Sequence, residues 1–264
     1  MAKKEKGSFF GFLQRKSKKR KKAEFVDWNL PVWDMHCHIL PEVDDGSRSL
    51  EDSLEMIQVE IAEGVTDIML TPHYIMGKTD SDLIQAQYKK LQEEIKKQNY
   101  PVRLYLGNEL FYHSDILEEL QSGRALTLAG TAYVLVEFSI GISYQRMKRA
   151  FQELLMAGYR PILAHLERFE CLLDDRERIF ELIDMGVLMQ ANTNSFLRDE
   201  TRRFLVSLLE EEGIHLIGTD SHRPDWRPPK MRKALEVIYE HLEKEEMISL
   251  LIENPEHLRK NEYL

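Results

Sequence analysis

The stretch Asp34–Gly46, reading DMHCHILPEVDDG, sets His36 and His38 two residues apart, directly after the apolar run Leu30, Pro31, Val32, Trp33. Side chains two apart on an extended strand share a face. Two imidazoles therefore converge on one point, while Cys37 points the other way. An acidic pair, Asp44–Asp45, and then Gly46 follow after a proline-containing loop. Two imidazoles with a nearby carboxylate suit a divalent ion of mixed nitrogen and oxygen preference, such as zinc, manganese or iron. Taken alone, the stretch also reads as a strand end with two solvated histidines and a polar loop.

The same pattern recurs along the chain. The run VTDIML leads into Thr71, Pro72 and His73, and the next run ends in Gly107, Asn108 and Glu109. YVLVEF carries Glu137; a fifth run ends in Ala164 and His165; a sixth gives Ala191, Asn192, Thr193 and Asn194. A seventh gives Gly218, Thr219, Asp220, Ser221 and His222. Five of the nine histidines fall at such ends. Each has a plainer reading alone: His73 caps a loop, Glu109 or Glu137 forms a salt bridge, His165 is a satisfied core histidine. Together they fit those readings poorly. Apolar strands do not end in buried ionisable groups unless something pairs with them, and a shared metal cluster does so. His113, His215, His241 and His257 lie off the pattern and read as surface or packing residues.

These ends require elements that bring them together. Short apolar runs predict strands at Val32–His36, Thr66–Thr71, Val102–Gly107, Tyr133–Phe138, Pro161–Ala164, Val187–Ala191 and His215–Gly218. Amphipathic stretches between them predict helices at about Leu50–Glu63, Ser81–Gln98, Ser114–Gln121, Tyr144–Ala157, Asp175–Met185 and Asp199–Glu212. A final helical pair follows at about Pro229–His241 and Lys244–Ile252. Gly64, Gly158, Gly186 and Gly213 stand where left-handed helix C-caps are expected. Seven β/α units without a composition break predict an α/β protein with one parallel barrel over residues 25–264, whose function gathers at the C-terminal strand ends. An open doubly wound sheet is the runner-up, but its Gly-rich first turn is absent.

The 264 residues are 43% hydrophobic and 31% charged, a soluble globular balance. Residues 1–24 hold ten Lys/Arg against two acids, a net of +8, so the net charge of −9 leaves −17 on the remaining 240. An acidic body argues against nucleic acid as a partner. The basic block, with Phe9, Phe10 and Phe12 beside it, predicts a disordered tail. It reads either as a solubilising arm or as a weak contact with an anionic membrane surface. Two cysteines make no disulfide framework and fit a reducing cytoplasm. The apolar stretch Ser8–Leu13 is too short for a signal peptide, and no run approaches a membrane span.

HCH, Asp45, TPH, NEL, VEF, LAHLER and DSH, in that order, resemble the polymerase-and-histidinol-phosphatase (PHP) family. The wording HILPEVDDGSRS, LAHLERF and TDSHRPDWRPP resembles its manganese-dependent bacterial tyrosine phosphatases of capsule and exopolysaccharide operons, over about residues 32–255. The resemblance implies a distorted seven-stranded TIM-like barrel with three divalent ions, manganese foremost, with iron or zinc as alternatives. By position, His36, His38, Glu109 and Asp220 hold one ion. Glu109 bridges to a second with Glu137 and His165, and Asp45, His73 and His222 hold a third. Arg168 and Arg227 match phosphate-binding arginines, with ion pairs to Glu167 or Asp225 as their plainer reading. The implied activity is hydrolysis of phosphotyrosine by metal-activated water, on a protein such as the C-terminal tail of a bacterial tyrosine kinase, in the cytoplasm or at the inner membrane face. A small-molecule phosphatase acting on histidinol phosphate, and an inactive kinase-binding scaffold, are the alternatives. The rival cysteine chemistry needs Arg six residues after the nucleophile. Cys37 is followed there by Val43 and Cys171 by Glu177, so both cysteines read as bystanders.

Overall fold

The computed structural model describes residues 30–264; the predicted tail at residues 1–24 lies outside them. Nine strand segments follow one another: Val32–Cys37 (β1), Val65–Leu70 (β2), His73–Tyr74 (β3), Arg103–Leu106 (β4), Glu109–Phe111 (β5), Tyr133–Glu137 (β6), Arg160–Leu163 (β7), Leu188–Asn192 (β8) and Leu216–Gly218 (β9). All pairs are parallel, in the orders β1-β2-β4 and β3-β5-β6-β7-β8-β9. Both faces of such strands are covered, which is why β1 is buried at every residue.

The expected count of seven strands needs correcting, for a local reason. Beyond the second and third predicted strands, Thr66–Thr71 and Val102–Gly107, the chain breaks and resumes as a further short strand, β3 after Thr71-Pro72 and β5 after Gly107-Asn108. Pro72 has no N–H for the ladder. Its carbonyl instead accepts from Glu109 N at 3.1 Å and from Asn108 Nδ2 at 3.0 Å. Gly107 passes so close to Leu128 that a Cβ there would lie 2.5 Å from Leu128 Cδ2. The two breaks bend the sheet together and leave His73 paired with Glu109 across it.

The first and last strands meet and close the ring. Asp220 N donates to His36 O at 2.7 Å, and His38 N donates to Ser221 O at 2.8 Å. Asp34 Oδ1 accepts from His36 N at 3.2 Å and from Thr219 N at 2.8 Å. Only glycine fits at position 218, since a Cβ would stand 2.5 Å from that of His36.

Helices cover the outside and pack a large apolar core against the strands. Ser49 caps Leu50–Ala62 by accepting from Asp52 N, and Asp80 caps Ser81–Lys97. A second apolar cluster draws Trp33, Met35, Met69, Leu135, Ile162 and Leu216 mostly from strands, as expected of the inner face of a ring, with Trp33 stacked 4.8 Å from Tyr105. Gly64, Gly158 and Gly186 adopt positive φ, whereas at the fourth expected cap Glu212 (φ 59°) takes the left-handed turn ahead of Gly213. The last predicted helix, Lys244–Ile252, instead continues through Ser249–Glu253 into Asn254–Arg259, with Pro255 tolerated in the first turn. No helix among the described residues is long and apolar enough to cross a membrane.

Candidate metal centre

The C-terminal strand ends deliver one cluster. His36 in β1 and His38 just past its end, two apart on extended chain, turn to one side, their Nε2 atoms 3.3 Å apart. Cys37 is turned away, its Sγ 3.6 Å from Met69 O. Glu109, at the start of β5, sits among the imidazoles. Its Oε1 lies 3.3 Å from His36 Nε2 and 2.8 Å from His165 Nε2. Its Oε2 lies 3.3 Å from His38 Nε2 and 2.9 Å from His73 Nδ1. Glu137 closes one side, 3.3 Å from His165 Nε2 and 3.8 Å from His73 Nδ1. Asp220 Oδ1 closes another, 3.5 Å from His38 Nε2 and 3.8 Å from His36 Nε2. Asp45 Oδ1 stands at the mouth, 3.5 Å from His73 Nε2 and 3.7 Å from His222 Nε2.

Three subsets have ligand atoms close enough to share an ion: His38, Asp45, His73 and His222; His36, His38 and Asp220; and His73, Glu109 and Glu137. The grouping by family position differs in that Glu109 falls in one subset rather than bridging two. His38 and His73 each serve two subsets, and His165 reaches Glu109 and Glu137 without completing a subset. Exposure grades across the cluster: the side chains of His36, His38 and Glu109 are at most 1% exposed, those of Glu137 and His73 about a fifth, and that of Asp45 61%. The mouth therefore lies on the Asp45, His73 and Glu137 side.

Arg168 and Arg227 both donate to Asp220 Oδ2, and Arg227 Nη1 lies 3.2 Å from His222 Nε2. Neither makes the surface pair considered for it. Asp225 pairs with Arg48, and Glu167 accepts from Asn192 N and Ser195 Oγ. His165, Asp220 and Arg227 all hold positive φ, at 33°, 50° and 59°. Such strained backbone concentrates where geometry serves a site.

Other residues orient this set. Asp44 Oδ2 accepts from His38 Nδ1 at 2.7 Å and from His73 N at 3.0 Å, while Oδ1 accepts from Gly46 N at 2.9 Å. Gln190 Oε1 meets His36 Nδ1 at 3.1 Å and accepts from His165 N at 2.7 Å. Asn192 Nδ2 donates to Asp220 Oδ2 at 2.7 Å. Sequence reading missed these roles. Asp44 was visible as half of an acidic pair and Asn192 as a strand-end residue, but Gln190 carried no signal inside an apolar run.

The electrostatics are those of crowded carboxylates held by imidazoles. Burial alone would raise Glu109, but His36 and the hydrogen bond from His165 outweigh it and hold the carboxyl well below its ordinary range. Burial would likewise raise Asp220, but His36 and Arg168 lower it. His165 moves the other way, to about 9, because its bonds to Glu109 and Glu137 overcome burial. His222 is pushed down to about 3 by burial, with His38 and Arg227 adding to it. A neutral His222 keeps a lone pair available. Burial raises both thiols, Cys37 and Cys171, away from the reactive thiolate.

The family model described as capsular polysaccharide synthesis, CpsB/CapC, matches residues 32–260. The tyrosine-protein phosphatase CpsB of Streptococcus agalactiae is 35% identical over 241 residues, covering 88% of this chain and 99% of that protein. A crystal structure from work on YwqE of Bacillus subtilis and CpsB of Streptococcus pneumoniae, described as unique metal-dependent tyrosine phosphatases, superposes with a TM-score of 0.81. It is 26% identical, over 88% of this chain and 96% of that one. Histidinol phosphate phosphatase from Lactococcus lactis shares the fold at a TM-score of 0.54 and 18% identity, over 80% of this chain and 92% of that one.

Proposed function

The chain belongs to the capsular polysaccharide synthesis family CpsB/CapC, and from that premise we propose that it is a metal-dependent protein-tyrosine phosphatase whose centre is the cluster around Glu109. The observation that carries this reading is the convergence of imidazoles, carboxylates and two guanidinium groups at one mouth of the barrel. The donor set fits divalent ions. Its buried carboxylates demand positive charge, which imidazole protons supply here, and its donors are the nitrogen and oxygen types that manganese, iron and zinc accept.

His36, His38, Glu109 and Asp220 would hold one ion. Glu109 would reach a second with Glu137 and His165, and Asp45, His73 and His222 would hold a third, with manganese as the expected metal. When bound, such ions supply positive charge to phosphoryl oxygens and make a water acidic enough to attack at neutral pH. The chain's own groups do the rest. Arg168 and Arg227 stand over Asp220 at the mouth, where their planar forks can grip the oxygens of a phosphomonoester. Asp44 and Gln190 hold imidazoles in place. A tyrosinate leaving group, with pKa about 10, departs with less proton donation than an alkoxide. The family's description supports a substrate among capsule-synthesis proteins: the phosphotyrosine tail of a bacterial tyrosine kinase, met in the cytoplasm or at the inner membrane face.

The test is to strip the protein with chelator, restore single metals, and assay a phosphotyrosine peptide beside histidinol phosphate. Turnover of the peptide that returns with manganese is expected. Turnover that survives complete metal removal overturns the reading. Preference for histidinol phosphate points to a small-molecule phosphatase, and no turnover by fully loaded protein points to a scaffold.

A further inference from the structure

Resting on the phosphatase reading, we propose that Trp226 is the wall against which the aromatic ring of the substrate lies, and that it confers preference for aryl over alkyl phosphates. The indole is 43% exposed although its neighbour His222 is buried. It is also fixed in place. Residues 223–226 form a tight turn in which Arg223 N donates to Trp226 O at 3.1 Å and Trp226 N donates to Arg223 O at 3.2 Å. Asp225 within the turn is tied to Arg48 at 3.1 Å. The ring stands edge-on to His222, with centroids 5.3 Å apart and planes at 86°. The guanidinium of Arg227 lies 5.3 Å from the indole centroid, and that of Arg223 lies 4.8 Å away.

Position and chemistry agree. Arg227 also reaches Asp220 inside the mouth, so the phosphate-gripping group and the indole are neighbours. With the Arg227 guanidinium 5.3 Å from the indole centroid, a phenyl ring carried on a phosphoryl group held by Arg227 would come within reach of the indole. Aromatic pairs are attractive at centroid separations of about 4.5–7 Å, and Trp buries much apolar surface with few rotors to freeze. A serine or threonine phosphate has no ring to offer and gains nothing from such a wall. The indole packs against imidazole and guanidinium groups of the mouth rather than into the apolar core, and part of it stays open to water.

Calorimetric binding of phenylphosphonate and methylphosphonate to the manganese-loaded full chain tests this without relying on turnover. Wild-type protein should bind the phenyl compound about tenfold more tightly, on the scale of one aromatic pair with its buried area. Trp226→Ala should abolish that ratio while methylphosphonate affinity stays within about twofold, and Trp226→Phe should restore most of it. Equal affinities in the wild type, or an unchanged ratio in Trp226→Ala, would overturn the proposal. So would an equal loss for both ligands, since Trp226 would then act only by bracing Arg227. Turnover of a phosphotyrosine peptide by the same wild-type sample separates the two ideas: with turnover present, a failed ratio rejects the aromatic wall alone.

Discussion

Asp44→Asn should weaken metal binding although Asp44 belongs to none of the three ligand subsets. The 2.7 Å contact between Asp44 Oδ2 and His38 Nδ1 fixes a proton on Nδ1, because an ionised carboxylate can only accept. Nε2 is then left with its lone pair, and it is Nε2 that faces Glu109 and Asp220 at 3.3 and 3.5 Å. Asparagine has almost the same shape but only one accepting oxygen. If that oxygen takes the Oδ1 place and keeps the amide of Gly46, its NH2 takes the Oδ2 place and faces His38 Nδ1–H and His73 N–H, so donors oppose. His38 relieves this by moving its proton to Nε2, where it blocks coordination. The same carboxylate also orients the backbone at His73, so two ligands lose their setting at once.

Loss of such an orienting partner typically costs 10- to 100-fold in metal affinity, and the double role places Asp44→Asn toward the upper part of that range, about 2 to 3 kcal/mol. Removing one partner of a buried charge-assisted bond should also lower folding stability by about 1–3 kcal/mol. Manganese affinity measured by chelator competition, with phosphatase activity followed against free metal, reports the first effect, and denaturant unfolding reports the second. Activity should return at high manganese, because the groups that grip substrate are untouched. Metal affinity within threefold of wild type would refute the tautomer argument.

Arg168→Ala and Arg227→Ala should stay folded and metal-loaded while each loses roughly 10²-fold or more in kcat/KM; lysine should rescue only in part, and near wild-type kinetics in both would remove the phosphate-gripping role. Cys37→Ser and Cys171→Ser should keep most activity, whereas His38→Ala or Asp220→Ala should lose nearly all of it; loss in Cys37→Ser with metals retained would make that thiol the nucleophile. His215 is held down to about 4 by burial, below its unfolded value of about 6.5. The unfolded chain therefore takes up the proton first, so this contribution to stability is complete above pH 6.5 and is lost as pH falls toward 4, by roughly 2 to 3 kcal/mol. Denaturant unfolding at pH 7 and pH 5 should show a shallower pH dependence in His215→Gln, and an unchanged slope would count against it.

The barrel and the cluster were legible in the sequence because both rest on periodicity. Short continuous apolar runs ending in His or acidic residues mark strand ends, and a parallel ring gathers strand ends at one mouth. What stayed hidden depends on contacts between distant segments. The breaks after Leu70 and Leu106 arise from Pro72 and from the close pass of Gly107 over Leu128, and the second of these is not visible within either segment alone. Asp44 and Asp45 are adjacent and chemically alike, yet the loop turns one inward to His38 and leaves the other at the mouth. Gln190 lies in an apolar run, and only the neighbouring strands show that it touches His36 and His165. Glu167 and Asp225, the acids weighed as plainer partners of Arg168 and Arg227, are engaged elsewhere, and it is Asp220 that takes both arginines.

Asp220 shows why closure of the ring and the chemistry of the site are one problem. Its N–H donates to His36 O and so helps join the last strand to the first. Its Oδ1 faces His36 and His38, while its Oδ2 accepts from Arg168, Arg227 and Asn192. Such a convergence requires its left-handed backbone, at φ 50°, which costs of order 1–3 kcal/mol for a non-glycine residue and persists only where its surroundings enforce it. The enforcing contacts are local: Gly218 allows the strands to touch, and Asp34 accepts from both His36 N and Thr219 N. A change that opens this seam therefore moves candidate metal ligands and candidate phosphate clamp together. Damage at Gly218 or Asp34, neither of which belongs to the ligand set, should accordingly look like damage to the centre itself.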